Sequence, residues 1–431
     1  MEYLFHLLNL PEIFRNPRKT EEVILEMQER GLKKLVAFAH RNVPYYRNLM
    51  DSLGIRPQEI ASVADLPRLP ILTKDAIRDH YPNGILSENI DWRKCSRRMT
   101  SGSSGKKLEV VLDHEEAALY RLMQFRQWLD IGYKPWNQIA YIRFSPPVTR
   151  LNLQKMLLFR RHFIPLEWKP EQQLDEILKI KPQIVNAYPS VLFLLAKAVH
   201  ESRPRKLKIK FLLSNSELLT AHARGYIEDA FGCKVYDDYS CLEFSAIGFE
   251  CRFQRLHVAC DNVILEIVDD SGNLVPRGSP GRIILTALNN FSMPYIRYEI
   301  GDVGALTDEK CPCGRNFPVL KSILGRCDDF IVLPSGESVD PQTVVFQIED
   351  LPEVKEFRVV QGEDCGLQIS IIPKGGGDWG RIESEIRSRL NGLLPGIMRV
   401  EFKWVDHLDR GTTGKHRSII SLLHTKKTRQ A

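Results

Sequence analysis

A chain of 431 residues carries 60 Lys and Arg against 54 Asp and Glu, a net charge of +6, with 9 cysteines and 43% hydrophobic residues. That length exceeds the about 250–300 residues at which one hydrophobic core stops growing, so two or more domains are expected. The mild, interleaved charge excludes a nucleic-acid stripe, the hydrophobic content excludes disorder, and no run approaches the about 18 apolar residues of a membrane span.

The start, Met1-Glu2-Tyr3, lacks the basic stretch and apolar run of a secretory leader, so a cytoplasmic protein is expected. In that compartment an odd number of cysteines reads as reduced thiols or metal ligands rather than a disulfide framework. Residues 1–90 read as helical, with Ile24, Met27, Leu35 and Phe38 set among charged neighbours and Pro11, Pro44 and Pro57 dividing short segments. From 91 to 326 short β-type runs such as Val263-Ile264-Leu265 and Ile283-Ile284-Leu285 alternate with helical stretches such as Glu171 to Ile180, the pattern of an α/β body. After Arg326 the texture changes again. Phe357 to Val360 and Leu367 to Ile372 read as strands, Ile382, Ile386, Leu390 and Leu393 fall on one helix face, and Val400, Phe402 and Trp404 alternate as a further strand. The expected division is therefore a body over 1–326 and a small α+β lid over 327–431.

Several segments carry chemistry. Thr100, Ser101, Gly102, Ser103, Ser104, Gly105 and Lys106 form a loop whose hydroxyls and bare backbone amides suit phosphate oxygens; a flexible surface hairpin has the same composition. Its spacing is not that of a Walker A loop, because Gly102 stands too close to Gly105 and Lys107 occupies the Ser/Thr position. Leu108 to Leu112 reads as a strand, and Asp113 with Glu116 as a capping pair opening the next helix, so the loop joins two strands. Cys251, His257, Cys311 and Cys313 supply three thiols and an imidazole, the donor set of a closed structural Zn²⁺ site, although buried small hydrophobes explain cysteines equally simply.

Asp237-Asp238-Tyr239-Ser240-Cys241-Leu242-Glu243, Arg297-Tyr298-Glu299-Ile300-Gly301-Asp302, Gly325-Arg326-Cys327-Asp328 and Gly411-Thr412-Thr413-Gly414-Lys415 follow the glycine-rich loop in order. Together they resemble the adenylate-forming superfamily of acyl-CoA synthetases, luciferases and adenylation domains. His40-Arg41-Asn42-Val43-Pro44-Tyr45-Tyr46-Arg47, Leu69-Pro70-Ile71-Leu72-Thr73-Lys74 and Cys311-Pro312-Cys313-Gly314-Arg315 narrow the resemblance to the phenylacetate–CoA ligase group and its capsule-associated relatives.

The resemblance implies an α/β fold, a large N-terminal adenylation body with a small mobile α+β C-terminal lid. It implies that the Thr100 to Lys106 loop holds the β- and γ-phosphates of ATP, with Thr100 close to the chemistry. Tyr239, beside Ser240, is expected to stack on adenine, with Ser216, Glu217 and Asp238 bordering the base, Asp302 on the ribose hydroxyls and Arg326 on ribose or phosphate oxygens. Glu243 is expected to hold Mg²⁺, and Lys415 to bridge the substrate carboxylate and the α-phosphate. Asp328 matches the superfamily's hinge position, where an ordinary linker aspartate is the plainer reading. Phe144, Asn186, Tyr188 and Pro189 are expected to line the acid pocket, while Arg143 offers a partner for a second carboxylate or a polar substituent.

The activity implied is activation of a carboxylic acid, aromatic or apolar, to an acyl-AMP with release of pyrophosphate, then transfer to the thiol of coenzyme A. Two rivals remain: adenylylation or acyl transfer to another acceptor (an amine, a hydroxyl or a carrier protein), and a non-catalytic nucleotide-binding scaffold. The partners expected are the acid, ATP and the acceptor, with no nucleic acid and no membrane. No motif encodes the oligomeric state, a homodimer being one option.

Overall fold

The computed structural model describes residues 11–100, 107–144, 157–202, 207–375, 377–397, 399–410 and 414–423. The chain divides into two compact units, one built from 1–133 and 238–323, the other from 134–237 and 324–431. The boundary expected at 326 thus falls close to the division between Ile323 and Leu324. The body expected over 1–326 is itself divided, residues 134–237 grouping with the C-terminal segment.

In the first unit the helix Glu21–Asn42 begins where Thr20 Oγ1 accepts the Val23 amide, with Glu21 and Glu22 favourably placed in its first turn. Its buried stripe, Ile24, Leu32, Leu35, Val36 and Ala39, packs into a core shared with Val263, Ile283, Tyr295, Tyr298 and Phe317. Met27 is partly buried against that core, and Phe38 meets Phe291 edge to face at 5.1 Å. Leu35 is fully buried, so its truncation to alanine costs about 2–5 kcal/mol. The sheet of this unit runs in the order Val263–Val268, Gly281–Ala287, Tyr298–Thr307, Val319–Arg326, Leu256–Val258 and Gly248–Glu250.

The strands Ser96–Met99 and Glu109–Leu112 pair antiparallel, so the glycine-rich loop does connect two strands. Asp113 and Glu116 form the expected capping box at the start of the helix His114–Asp130. Glu116 also accepts the amides of Phe291 and Ser292, at 2.6 and 2.8 Å, which ties the helix start to a turn far along the chain.

The second unit carries a parallel arrangement, Phe211–Asn215, Ile184–Ala187, Ile139–Arg143 and Arg161–Pro165, with the helices Pro170–Ile180, Pro189–Ser202 and Ala221–Phe231. Among the described residues its core, including Ile142, Val185, Leu192, Leu195, Leu212, Ile227 and Val235, draws on residues between 140 and 235. The C-terminal segment has a separate core from Ile331 to Ile419, beneath a four-stranded sheet ordered Val400–Trp404, Leu367–Pro373, Val354–Gln361, Ile419–Ser421 and the helices Pro341–Glu349 and Trp379–Asn391. The β-β-α-β reading of this segment is thereby extended by a helix before it and a strand after it. Among the described residues no helix is long and apolar enough to cross a membrane.

Candidate functional site

Thr100 closes the strand pair: its amide donates to Leu108 O at 2.8 Å, and its Oγ1 accepts the Leu108 amide at 2.9 Å. Ser101, Gly102, Ser103, Ser104, Gly105 and Lys106 lie outside the described residues, so the structure fixes the two ends of that loop. Thr100 itself is buried, and its hydroxyl oxygen accepts at the loop's base.

Three sequence motifs, 237–243, 297–302 and 69–74, meet in the first unit. The Tyr239 hydroxyl donates to Asp302 Oδ2 at 2.8 Å, joining positions 63 residues apart. The Tyr298 hydroxyl donates to Glu243 Oε1 at 3.1 Å. Tyr298 sits in a fully buried aromatic cluster with Phe244 and Tyr295, and burial, then the Glu243 carboxylate, pushes its phenol far above the ordinary range. It therefore remains a hydrogen-bond donor to a buried carboxylate, the arrangement that keeps an anion tolerable at low dielectric. Asp238, also buried, accepts from Gln124 Nε2 at 3.2 Å. Ser240 follows Tyr239 at the strand end and is half-buried. The strand Tyr298–Thr307 thus presents both Tyr298 and Asp302. Its start is pinned by the buried Arg297, whose guanidinium meets Glu266 Oε1 at 3.1 Å and Leu69 O at 2.7 Å.

In the second unit the strand Phe211–Asn215 ends in Ser216, whose φ of 71° turns the chain sharply. Glu217 follows. One carboxylate oxygen accepts the Ser190 amide at 3.1 Å and the other accepts the His416 amide at 2.6 Å. Burial pushes this carboxyl above its ordinary value, against the opposing pull of those two amides. Lys415 is half-buried beside this contact, while Gly411, Thr412 and Thr413 lie outside the described residues.

Arg143 does not stand open to a second carboxylate. Its guanidinium lies 4.6 Å above the Tyr188 ring and donates to Asn186 Oδ1 and, at 2.9 Å, to Asn215 Oδ1. Asn186 and Tyr188 are therefore held in one polar cluster, Pro189 opens the next helix, and Phe144 is 51% exposed. Arg326 ends its strand, and Asp328 lies in a single 3₁₀ turn, Cys327–Asp329, where Asp329 accepts from Arg417 Nε at 3.1 Å.

The cysteine set converges as expected. Cys251 leaves the strand Gly248–Glu250, His257 lies in the strand Leu256–Val258 that pairs with it, and Cys311 and Cys313 precede the strand beginning at Val319, which pairs with His257. All four donor atoms lie within 4.8 Å of one another. Cys251 Sγ is 3.5 Å from Cys311 Sγ, and Cys313 Sγ is 3.4 Å from His257 Nε2. A tetrahedron with bonds of about 2.3 Å to sulfur and 2.0 Å to nitrogen has edges of about 3.5–3.8 Å, so the donor set fits a cation of that size. His257 Nδ1 stands 2.8 Å from Phe317 O; a carbonyl only accepts, so Nδ1 carries the proton and the Nε2 lone pair faces the thiols. Burial, with the neighbouring thiols, pushes Cys311 up to about 12. Burial also acts to raise Cys251, but its contacts with the His257 ring and with the amides of Arg255 and Phe253 outweigh it and bring that thiol down.

Tyr298 as the partner of Glu243, Gln124 on Asp238 and the use of Glu217 by two backbone amides are not legible in the sequence. Tyr298 stands within the Arg297 to Asp302 motif, but nothing local reveals a donor 55 residues from its acceptor.

No family model matches the chain. It is 29% identical over 357 residues to a phenylacetate–coenzyme A ligase of Thermus thermophilus, covering 80% of this chain and 78% of that one. It is 22% identical over 422 residues to Protein CapK of Staphylococcus aureus, covering 92% and 89%. Among solved structures, a 2-hydroxyisobutyryl-CoA ligase in the postadenylation state superposes with a TM-score of 0.79 at 20% identity, over 96% of this chain and 94% of that one. By sequence the chain is similar to phenylacetate–coenzyme A ligases, and its fold matches that of a 2-hydroxyisobutyryl-CoA ligase.

Proposed function

We propose that the chain is an AMP-forming acid–thiol ligase, converting an aromatic or apolar carboxylic acid to its acyl-AMP and then to the coenzyme A thioester. In the first step a carboxylate oxygen bonds to the α-phosphorus of ATP while the bond from that phosphorus to the bridging oxygen breaks, and pyrophosphate departs with the electron pair. In the second a thiol sulfur bonds to the acyl carbon, AMP leaves, and the thiol proton passes to solvent. The observation that carries this reading is the convergence of distant motif residues. Tyr239 meets Asp302, Glu243 meets Tyr298, and the residue after Lys415 meets Glu217.

In this reading Tyr239 stacks on adenine with Ser216, Ser240 and Asp238 at its border, Asp302 takes the ribose hydroxyls, and Arg326 meets ribose or phosphate oxygens. The loop from Thr100 to Lys106 carries the phosphates. Glu243 holds Mg²⁺, which supplies charge neutralisation on the phosphates. Lys415 neutralises charge that develops on the α-phosphate as the acid attacks. Phe144, Asn186, Tyr188 and Pro189 border the acid, and Asp328 is the hinge about which residues 327–431 move as a lid between the two half-reactions. Cys251, His257, Cys311 and Cys313 hold a structural Zn²⁺ with no open position. A cytoplasmic location belongs to the same reading.

The test is acid- and Mg²⁺-dependent ATP–pyrophosphate exchange, with phenylacetate as the first probe and a broad acid library behind it. Product analysis with and without coenzyme A then separates thioester formation from transfer to another acceptor. Folded protein that exchanges with no member of the library would overturn the reading in favour of a nucleotide-binding scaffold.

A further inference from the structure

The sequence motif around Lys415 accounts for the lysine but not for what holds it. A lysine on a loop has a mobile backbone and a long side chain, and misplacing a group that must meet developing charge by about 1 Å costs on the order of 10²-fold in rate. The second unit contains a device that removes this freedom. Glu217 accepts the His416 amide at 2.6 Å, one residue beyond Lys415, and the Ser190 amide at 3.1 Å. Ser190 lies in the first turn of the helix Pro189–Ser202, where amides have no partner within the helix and favour an anion. On the other side of the lysine loop, Arg410 Nη1 donates to the Ser190 hydroxyl at 3.1 Å, and Arg410 Nη2 meets Glu356 at 2.5 Å. Residues 410 and 416 are thus both fastened to the same helix start. Between them Gly414, with φ of 71°, packs so closely that a Cβ there would overlap Leu166 Cδ2.

We infer that Glu217 is the positioning residue for Lys415: its carboxylate clamps the lysine-bearing segment to the first turn of the helix Pro189–Ser202. This rests on the reading of Lys415 as the adenylation lysine. Because each oxygen of Glu217 receives a backbone amide, its part is to fix the neighbouring backbone rather than to exchange protons with a substrate.

The experiment compares Glu217→Ala, Glu217→Gln and Lys415→Ala with wild type by hydrogen exchange of the segment 414–418 and by phenylacetate-dependent pyrophosphate exchange. In the same samples, coenzyme A thioester formation from supplied phenylacetyl-AMP is followed. Glutamine keeps the shape but one accepting oxygen only, so it controls for folding. Glu217→Ala is expected to lose protection at His416 while the strand Leu367–Pro373 keeps its own. Pyrophosphate exchange should fall on the order of 10²-fold, with Glu217→Gln between alanine and wild type and thioester formation from the adenylate retained. Lys415→Ala is expected to keep the protection and lose the exchange. Unchanged protection at 414–418 in Glu217→Ala, or exchange that survives that substitution while Lys415→Ala abolishes it, overturns the inference. Exchange that survives Lys415→Ala overturns the reading of the lysine instead, and the hydrogen-exchange arm still decides whether Glu217 holds the segment.

Discussion

Replacing Cys313 by alanine distinguishes a metal centre from a cluster of packed thiols. Cys313 is half-buried, so if it only packs, losing one sulfur costs about 1 kcal/mol or less. If it is one of four ligands, its loss opens the coordination shell, and even a hundredfold weakening of the metal removes about 2.7 kcal/mol of stabilisation by mass action. For a unit of this size each kcal/mol shifts the melting temperature by about 2–4 °C, so the metal reading predicts a fall of about 5–11 °C and packing alone at most about 4 °C. Elemental analysis of protein purified without chelator should find one zinc per chain in wild type and much less in Cys313→Ala. Differential scanning calorimetry with and without a chelator should lower wild type towards the variant and leave the variant unmoved. Wild type free of zinc, or a variant that melts with wild type, would refute the reasoning that the 3.4 and 3.5 Å contacts are the edges of a coordination tetrahedron.

Other substitutions probe the remaining contacts. Lys415→Ala should lower acid-dependent exchange about 10²–10³-fold while ATP binding measured by calorimetry stays near wild type, and undiminished exchange would remove the lysine from the chemistry. Tyr298→Phe deletes the donor to Glu243 and leaves a buried carboxylate short of a partner, at a cost of about 1–3 kcal/mol. A rise in the Mg²⁺ concentration needed for half-maximal exchange is the expected readout, and an unaltered Mg²⁺ titration contradicts it. Gly414→Ala should abolish exchange and lower the melting temperature, since φ of 71° and the Leu166 contact leave no room for a methyl group without strain. Burial, then Arg410 and Arg358, depresses His416 from its ordinary 6.5 to about 3. Between those values the unfolded chain binds the proton and the folded one does not, so this histidine's contribution to stability is full above pH 6.5 and declines as the pH falls towards 3. Subtracting the pH–stability profile of His416→Asn from that of wild type isolates the slope, and a flat difference would show that the ring is not held neutral.

Local chemistry was readable where the fold used it locally. Asp113 and Glu116 announced a helix start, the glycine-rich loop announced a connection between strands, and the cysteine and histidine donors announced their own convergence. What stayed hidden was long-range. Glu116 was legible as a capping residue but not as the acceptor for Phe291 and Ser292, because that requires a turn 175 residues away. The use of Glu217, expected by resemblance to border the nucleotide base, by two backbone amides was hidden as well, because a backbone amide has no residue signature. Arg143 looked free for a substrate until the fold brought Asn186, Tyr188 and Asn215 beside it. The grouping of 134–237 with the C-terminal segment depends on such contacts too, so a change in sequence texture alone marked only the boundary near 324.

The separateness of the hydrophobic cores sets an order of events during synthesis. Among the described residues the core of 140–235 is built from that stretch alone, whereas the buried face of Glu21–Asn42 shares its core with residues as distant as Val263, Ile283 and Phe317. At a ribosome adding about 5–20 residues per second, that amphipathic helix waits on the order of tens of seconds for its other half. The middle of the polypeptide is therefore the first part able to collapse, and the amino-terminal helices spend the interval as sticky surface for a chaperone to shield.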